Sequence, residues 1–147
     1  VFSGRLRLLS PEEVASTIDD ELQAAWNAGD GDAYASHFTE DADLINVFGS
    51  HFKGREEIVA LMRRVFSTIF RNSTTTHTLE SAVMLSEEVI LAHLSGRLTV
   101  PAESGTREMR NRQTFVIVLE EGRWLIRSFQ NTGVNDAAPS VTRRPEV

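Results

Sequence analysis

Cysteine is absent from the 147 residues, which excludes disulfide frameworks, thiolate zinc sites and cysteine nucleophiles together. Lysine is nearly absent as well: Lys53 stands alone, and every other basic residue is arginine. The formal net charge is −6, so phosphate backbones and anionic surfaces are repelled, and neither nucleic acid nor membrane is expected as a partner. No apolar run is long enough to cross a bilayer. Val1-Phe2-Ser3-Gly4-Arg5 lacks the basic-then-apolar order of a signal peptide, which makes the cytoplasm the expected location. No histidine pair has metal-binding spacing with a nearby carboxylate, and no glycine-rich phosphate loop follows a strand. Neither a metal nor a nicotinamide or flavin cofactor is therefore expected.

What the chain does contain is periodicity. Ser10-Pro11-Glu12-Glu13 combines an N-cap, a proline for the first helical position and a glutamate three residues after the cap. Val14, Ile18, Leu22, Ala25 and Trp26 then recur on one face, which predicts a helix from Pro11 to Ala28 stopped by Gly29. Asp30 caps a short second helix, a brief strand is expected from Leu44 to Phe48, and a third helix follows from Arg55. From Thr74 the period becomes two. Strands are predicted over Thr75 to Met84, Val89 to Val100, Met109 to Glu120 and Arg123 to Asn131. Residues 1–132 read as one α+β domain, a curved antiparallel sheet wrapped over about three helices, and 133–147 as a loosely ordered tail.

If Glu121-Gly122 is a two-residue hairpin loop, Leu119 faces Trp124, Ile117 faces Ile126, Phe115 faces Ser128 and Gln113 faces Gln130. A similar turn at Ser86-Glu87 pairs Val83 with Ile90, Ser81 with Ala92, Leu79 with Leu94 and His77 with Gly96. These residues are expected to look toward the helices. The other face mixes Arg97, Arg112 and Arg127 with Leu91, Val116, Val118 and Phe129, which suits a subunit interface. A loop one residue longer inverts the assignment.

The order of helix, Trp26-Asn27-Ala28-Gly29-Asp30, short helix, Phe38, acidic residues, strand, Lys53-Gly54-Arg55 and strands ending in Gly122-Arg123-Trp124 resembles the nuclear transport factor 2-like superfamily. Arg112-Gln113-Thr114 and Phe129-Gln130-Asn131-Thr132 resemble its SnoaL-like SgcJ/EcaC branch, which accompanies polyketide and enediyne biosynthesis. The resemblance implies a cone-shaped fold, a homodimer formed through the sheet and a hydrophobic small molecule held in the cone. Steroid isomerases of this fold carry a carboxylate base and a tyrosine donor; the matching positions here are Asn46 and Leu22, which supply neither.

The expected site therefore takes its cavity shape from Trp26, Met62, Phe66 and Phe115, and its polar contacts from Asn46, Gln113 and Gln130. His77 is the candidate catalytic residue, being the histidine that the strand pattern brings to the pocket face. Two functions remain open at this level: a cofactor-independent cyclase or isomerase, and a noncatalytic carrier or protective protein. An association module with a filled cone is a third reading.

Overall fold

The computed structural model describes residues 8–145; the first five residues and the end of the tail, read above, lie outside them. The chain forms α1 (Pro11–Asn27), α2 (Gly31–Ala35), β1 (Phe38–Ile45), β2 (His51–Lys53), α3 (Arg55–Ser67), β3 (Thr74–Ser86), β4 (Val89–Ala102), β5 (Gly105–Glu120) and β6 (Arg123–Gly133). A short 3-10 turn at Ser140–Thr142 follows. The six strands make one sheet in the order β2-β1-β6-β5-β4-β3. This is an α+β cone: a curved sheet closing over three helices.

Local chemistry starts each helix where the sequence suggests. Ser10 Oγ accepts a hydrogen bond from the Glu13 amide at 3.1 Å, Pro11 occupies the first turn, and Gly29 leaves α1 with φ of +67°. Gly31 allows α2 to lie directly on α3, since a Cβ there would sit 2.9 Å from the Arg63 backbone nitrogen. The buried stripe of α1, from Val14 through Ala15, Ile18 and Leu22 to Ala25, packs with Ile58, Leu61 and Met62 of α3 against the sheet.

The sheet departs from expectation in three ways. β1 begins at Phe38, six residues before the predicted strand, because Phe38, Ala42 and Leu44 supply the buried positions among acidic neighbours. His51–Lys53, expected as loop, pairs with β1 as a short edge strand. β1 and β6 run parallel, the one exception to the antiparallel sheet. Short connections forbid parallel pairing only between successive strands, and here α3 and four strands intervene.

Glu121 and Gly122 both adopt positive φ, 49° and 78°, the two-residue hairpin geometry, and Leu119–Trp124 and Ile117–Ile126 pair as expected. Beyond Ile126 the register slips. Val116 pairs with Ser128, so Arg127 is an extra residue that bulges out of the ladder. Phe115 therefore faces Phe129 and Gln113 faces Asn131, in place of Ser128 and Gln130. A matching slip at Glu80 keeps His77–Gly96 and Leu79–Leu94 but pairs Ala82 with Ala92. Met84, not Val83, stands across from Ile90, because the turn lies at Glu87-Glu88 and Leu85 is a further extra residue in the ladder. The bulges at Arg127 and Glu80 each carry a charged residue outward and return an apolar one to the core.

Deleting Arg127 is expected to push Phe129 out of the core and to cost about 3 kcal/mol or more, on the scale of losing a buried phenylalanine. Urea unfolding measures it. Arg127→Ala keeps the extra residue and loses only exposed ion pairs with Asp41 and Asp43, so a change below about 1 kcal/mol is expected. A deletion variant as stable as the parent would refute the bulge.

Candidate functional site

β3 is an edge strand, and alternate backbone amides of such a strand have no ladder partner. α1 answers them with side chains spaced four residues apart. Asn27 Oδ1 accepts from the Thr75 amide at 2.8 Å, and Gln23 Oε1 accepts from the His77 amide at 3.1 Å. One turn earlier, Asp19 Oδ1 lies 2.5 Å from His77 Nδ1, while Gln23 Nε2 donates to Asp19 Oδ2 at 2.9 Å. Both side chains of the Asp19–His77 pair are almost wholly buried, at 6% and 5% exposure. An ionised carboxylate only accepts, so Nδ1 carries the proton that faces it.

His77 stands in the wall of a cavity of about 180 Å³ between the helices and the inner face of the sheet. Trp26, Tyr34, Met62, Phe70 and Phe129 give it an apolar body. His77, Asn111, Gln113 and Asn131 gather at one end, because His77–Gly96–Asn111 forms a rung across three strands and Gln113–Asn131 the next. Gly96 is what permits the gathering: a Cβ there would lie 2.4 Å from Asn111 Oδ1 and 3.0 Å from the His77 ring. Gln113 Nε2 lies 3.3 Å from Asn111 Oδ1 and 3.4 Å from His77 Nε2. Val47 and Phe48, on the loop after β1, complete the lining; Phe48 is largely exposed.

The structure places Trp26, Asn46, Met62, His77 and Gln113 around this one space, and three other expected residues elsewhere. Phe66 packs edge-on behind Trp26, with ring centroids 4.9 Å apart, and so braces the wall without reaching the cavity. Phe115 is completely buried and stacks on Phe129 at 5.1 Å, one rung deeper than the open space. Gln130 is exposed on the opposite face because the Arg127 bulge reverses the alternation, and Asn131 takes its place. Asn46 has its carbonyl engaged in the loop, accepting from the Phe48 and Ser50 amides at 3.0 Å each. Leu22 is fully buried core.

Sequence reasoning missed Asp19, Tyr34, Asn111 and Asn131. Asp19 left a readable signal: it is the acid on an otherwise apolar face, and Asp19, Gln23 and Asn27 repeat every fourth residue. Asn131 left none without the bulge. Among the described residues no group of three His, Cys, Asp or Glu side chains is placed to hold a metal. No helix among them is long and apolar enough to cross a membrane.

A curved sheet over three helices with a pocket between them defines the class of cone-shaped, nuclear transport factor 2-like proteins. Solved structures agree on the fold. A cystatin-like protein from Nostoc punctiforme superposes with a TM-score of 0.78 at 24% identity, covering 89% of this chain and 82% of its own. An NTF-2 like protein from Shewanella oneidensis gives 0.66 at 22%, covering 83% and 98%. A ketosteroid isomerase-like protein from Erwinia carotovora atroseptica gives 0.71 at 16%, covering 83% and 95%. No curated protein matches the sequence. The model of the SnoaL-like domain matches residues 20–126, and the chain belongs to that family.

Burial, and secondly the negative charge of Asp19, push the pKa of Tyr34 far above its ordinary value near 10, so its hydroxyl stays protonated. Tyr34 is the single tyrosine of the chain, so absorbance at 295 nm reports it alone. No tyrosinate signal is expected up to pH 11 while the protein stays folded. A transition centred near pH 10 would contradict the buried placement.

Proposed function

We propose that this SnoaL-like chain holds a hydrophobic, polyketide-type molecule in its cone and moves a proton on it without a cofactor, His77 acting as the base. The observation that carries this reading is the buried Asp19–His77 pair, whose histidine is among the residues lining an apolar cavity. Asp19 is the positioning residue: it fixes the ring and its tautomer, and it stabilises the imidazolium that forms. The base missing at Asn46 is thereby supplied from a different element, His77 on β3 with Asp19 of α1 behind it.

The step balances without an oxidant. His77 Nε2 takes a proton from a carbon beside a ligand carbonyl, the C–H electron pair moves into an enolate, and the same nitrogen returns the proton at another position. Tyr34, held protonated in the same wall, supplies a neutral donor for the enolate oxygen. Bond migration or ring closure follows from where the proton returns.

Support for the ligand class comes from the SnoaL-like match and the aromatic lining, and the enediyne branch remains a reading of the short motifs around Gln113 and Gln130. We read the outer sheet face, where Leu91, Val116 and Val118 are only half buried among arginines, as the contact between two copies of the chain. The noncatalytic carrier is the reading that fits if binding occurs without exchange.

Isomerisation of cyclohex-3-enone to its conjugated isomer, followed by ultraviolet absorbance, and deuterium uptake from heavy water test the chemistry. The wild type is expected to accelerate both. His77→Gln should lose about 10²- to 10⁴-fold, the range of a general base. Asp19→Asn should lose about tenfold or more while still binding the ketone. Equal rates in wild type, His77→Gln and protein-free buffer would overturn catalysis.

A further inference from the structure

The cavity meets solvent where residues of its lining are themselves exposed, and those residues are Phe48 and Ile69, at 67% and 55% exposure. Every other lining residue is buried or half-buried. They come from two different connections, Phe48 from the loop between β1 and β2 and Ile69 from the stretch between α3 and β3. One exposed apolar side chain is ordinary on a protein surface, whereas two bordering the mouth of an apolar cavity extend its binding surface outward.

Both are held out by tied backbone. Asn46 Oδ1 accepts from the Phe48 and Ser50 amides at 3.0 Å each, the Asn46 amide donates to the Ser50 carbonyl at 3.1 Å, and the Asn46 carbonyl accepts from the Gly49 amide at 3.0 Å. Backbone N–H groups only donate, so the side-chain oxygen of Asn46 is the atom that faces them, and the amide has one orientation. Gly49 completes the turn at φ of +82°. Ile69 lies between two anchored neighbours: the Thr68 hydroxyl donates to the Arg64 carbonyl at 2.6 Å, and the Phe70 amide donates to the Val65 carbonyl at 2.8 Å. The Phe70 ring lies 5.7 Å from that of Trp26. Side chains presented in this way lose little freedom when a ligand covers them.

We infer that Phe48 and Ile69 select ligands by length, covering the part of an elongated apolar molecule that emerges from the cavity, with Asn46 as the positioning residue that holds Phe48 there. The inference rests on the proposed small-molecule function and names the shape of ligand the site prefers. A cavity of about 150 Å³ takes benzene, so the space of about 180 Å³ holds one ring with small substituents, and a longer molecule must lie partly in the mouth. A ligand contained wholly inside gains nothing from the rim. One with an apolar extension buries it against both side chains, at roughly fourfold in affinity for each methylene covered. The Asn46 carbonyl, spent on the loop, acts on the ligand through Phe48.

The probes are 4-methylphenol, a single substituted ring, and 4-hexylphenol, which extends it by five methylenes, titrated calorimetrically against the full chain. The wild type is expected to bind the hexyl compound at least about tenfold more tightly, the effect of covering about two of those methylenes. Phe48→Ser and Ile69→Ser should each cut that preference several-fold, and since both side chains are exposed, either variant serves if the other fails to fold. Asn46→Ala should cut it as Phe48→Ser does, while Asn46→Asp, which keeps the acceptor oxygen, should restore it. Val141→Ser, at an exposed apolar position outside the lining, should leave it unchanged. Equal affinity of the two phenols for the wild type, or an undiminished preference in both rim variants, overturns the inference and leaves the cavity function standing. A preference lost equally in Val141→Ser overturns it as well, since the extra binding is then general adsorption. A preference lost in Asn46→Asp overturns the positioning role. Failure of both phenols to bind removes the proposed function and this inference together.

Discussion

The docking of α1 on the open edge of β3 is the constraint from which the rest of the site follows. An edge strand must have its unpaired amides covered, and Gln23 and Asn27 cover those of His77 and Thr75. Once that stripe is engaged, the next residue in the same helical row, Asp19, has nowhere to be but beside the His77 ring. An acid that would be intolerable alone in an apolar face is stabilised by two hydrogen bonds, from His77 and Gln23. The contact that closes the cone thus also sets the imidazole, and a structural demand and a chemical one are met by the same three helical residues.

Much of this was legible in the linear chain. The start of α1 at Ser10-Pro11, the long strands after Thr74 and the Glu121-Gly122 turn each rest on local rules, and each holds. The cone architecture followed from their order. What local rules could not show is where the strict alternation of a strand fails. Arg127, Glu80 and Leu85 each insert one residue into a ladder, and a single insertion moves every later side chain to the other face. That is why Trp124 and Ile126 stand where the alternation puts them and Ser128 and Gln130 do not. β1 was read late for a related reason: its buried positions are separated by acids that make Thr39 to Asp43 look like solvent-facing loop.

The candidate residues divide along the same physical line. Trp26 and Met62 sit on helices of uninterrupted period, and His77 keeps its expected partner because the insertions at Leu85 and Glu80 offset the shifted turn; all three reach the cavity. Phe66 and Phe115 face the interior too, but an interior is mostly filled, and periodicity alone does not distinguish the wall of a space from the packing behind it. His77 looked solitary because its partner is 58 residues away on another element. The acid in the apolar stripe of α1 was the mark that a partner existed.

The parallel seam between β1 and β6 bears on how the molecule is made. Asp43 and Ser128, joined by a hydrogen bond of 2.6 Å, are 85 residues apart, and nothing shorter in the chain can supply that neighbour. A ribosome must deliver everything from Phe38 to Gly133 before the sheet can take its full order. Until then one flank of β1 lacks its strand partner, with β2 paired to the other and α3 packed against it. Closing the sheet therefore waits on the most distant of its pairings, and the cavity between helices and sheet is complete only when β6 is in place.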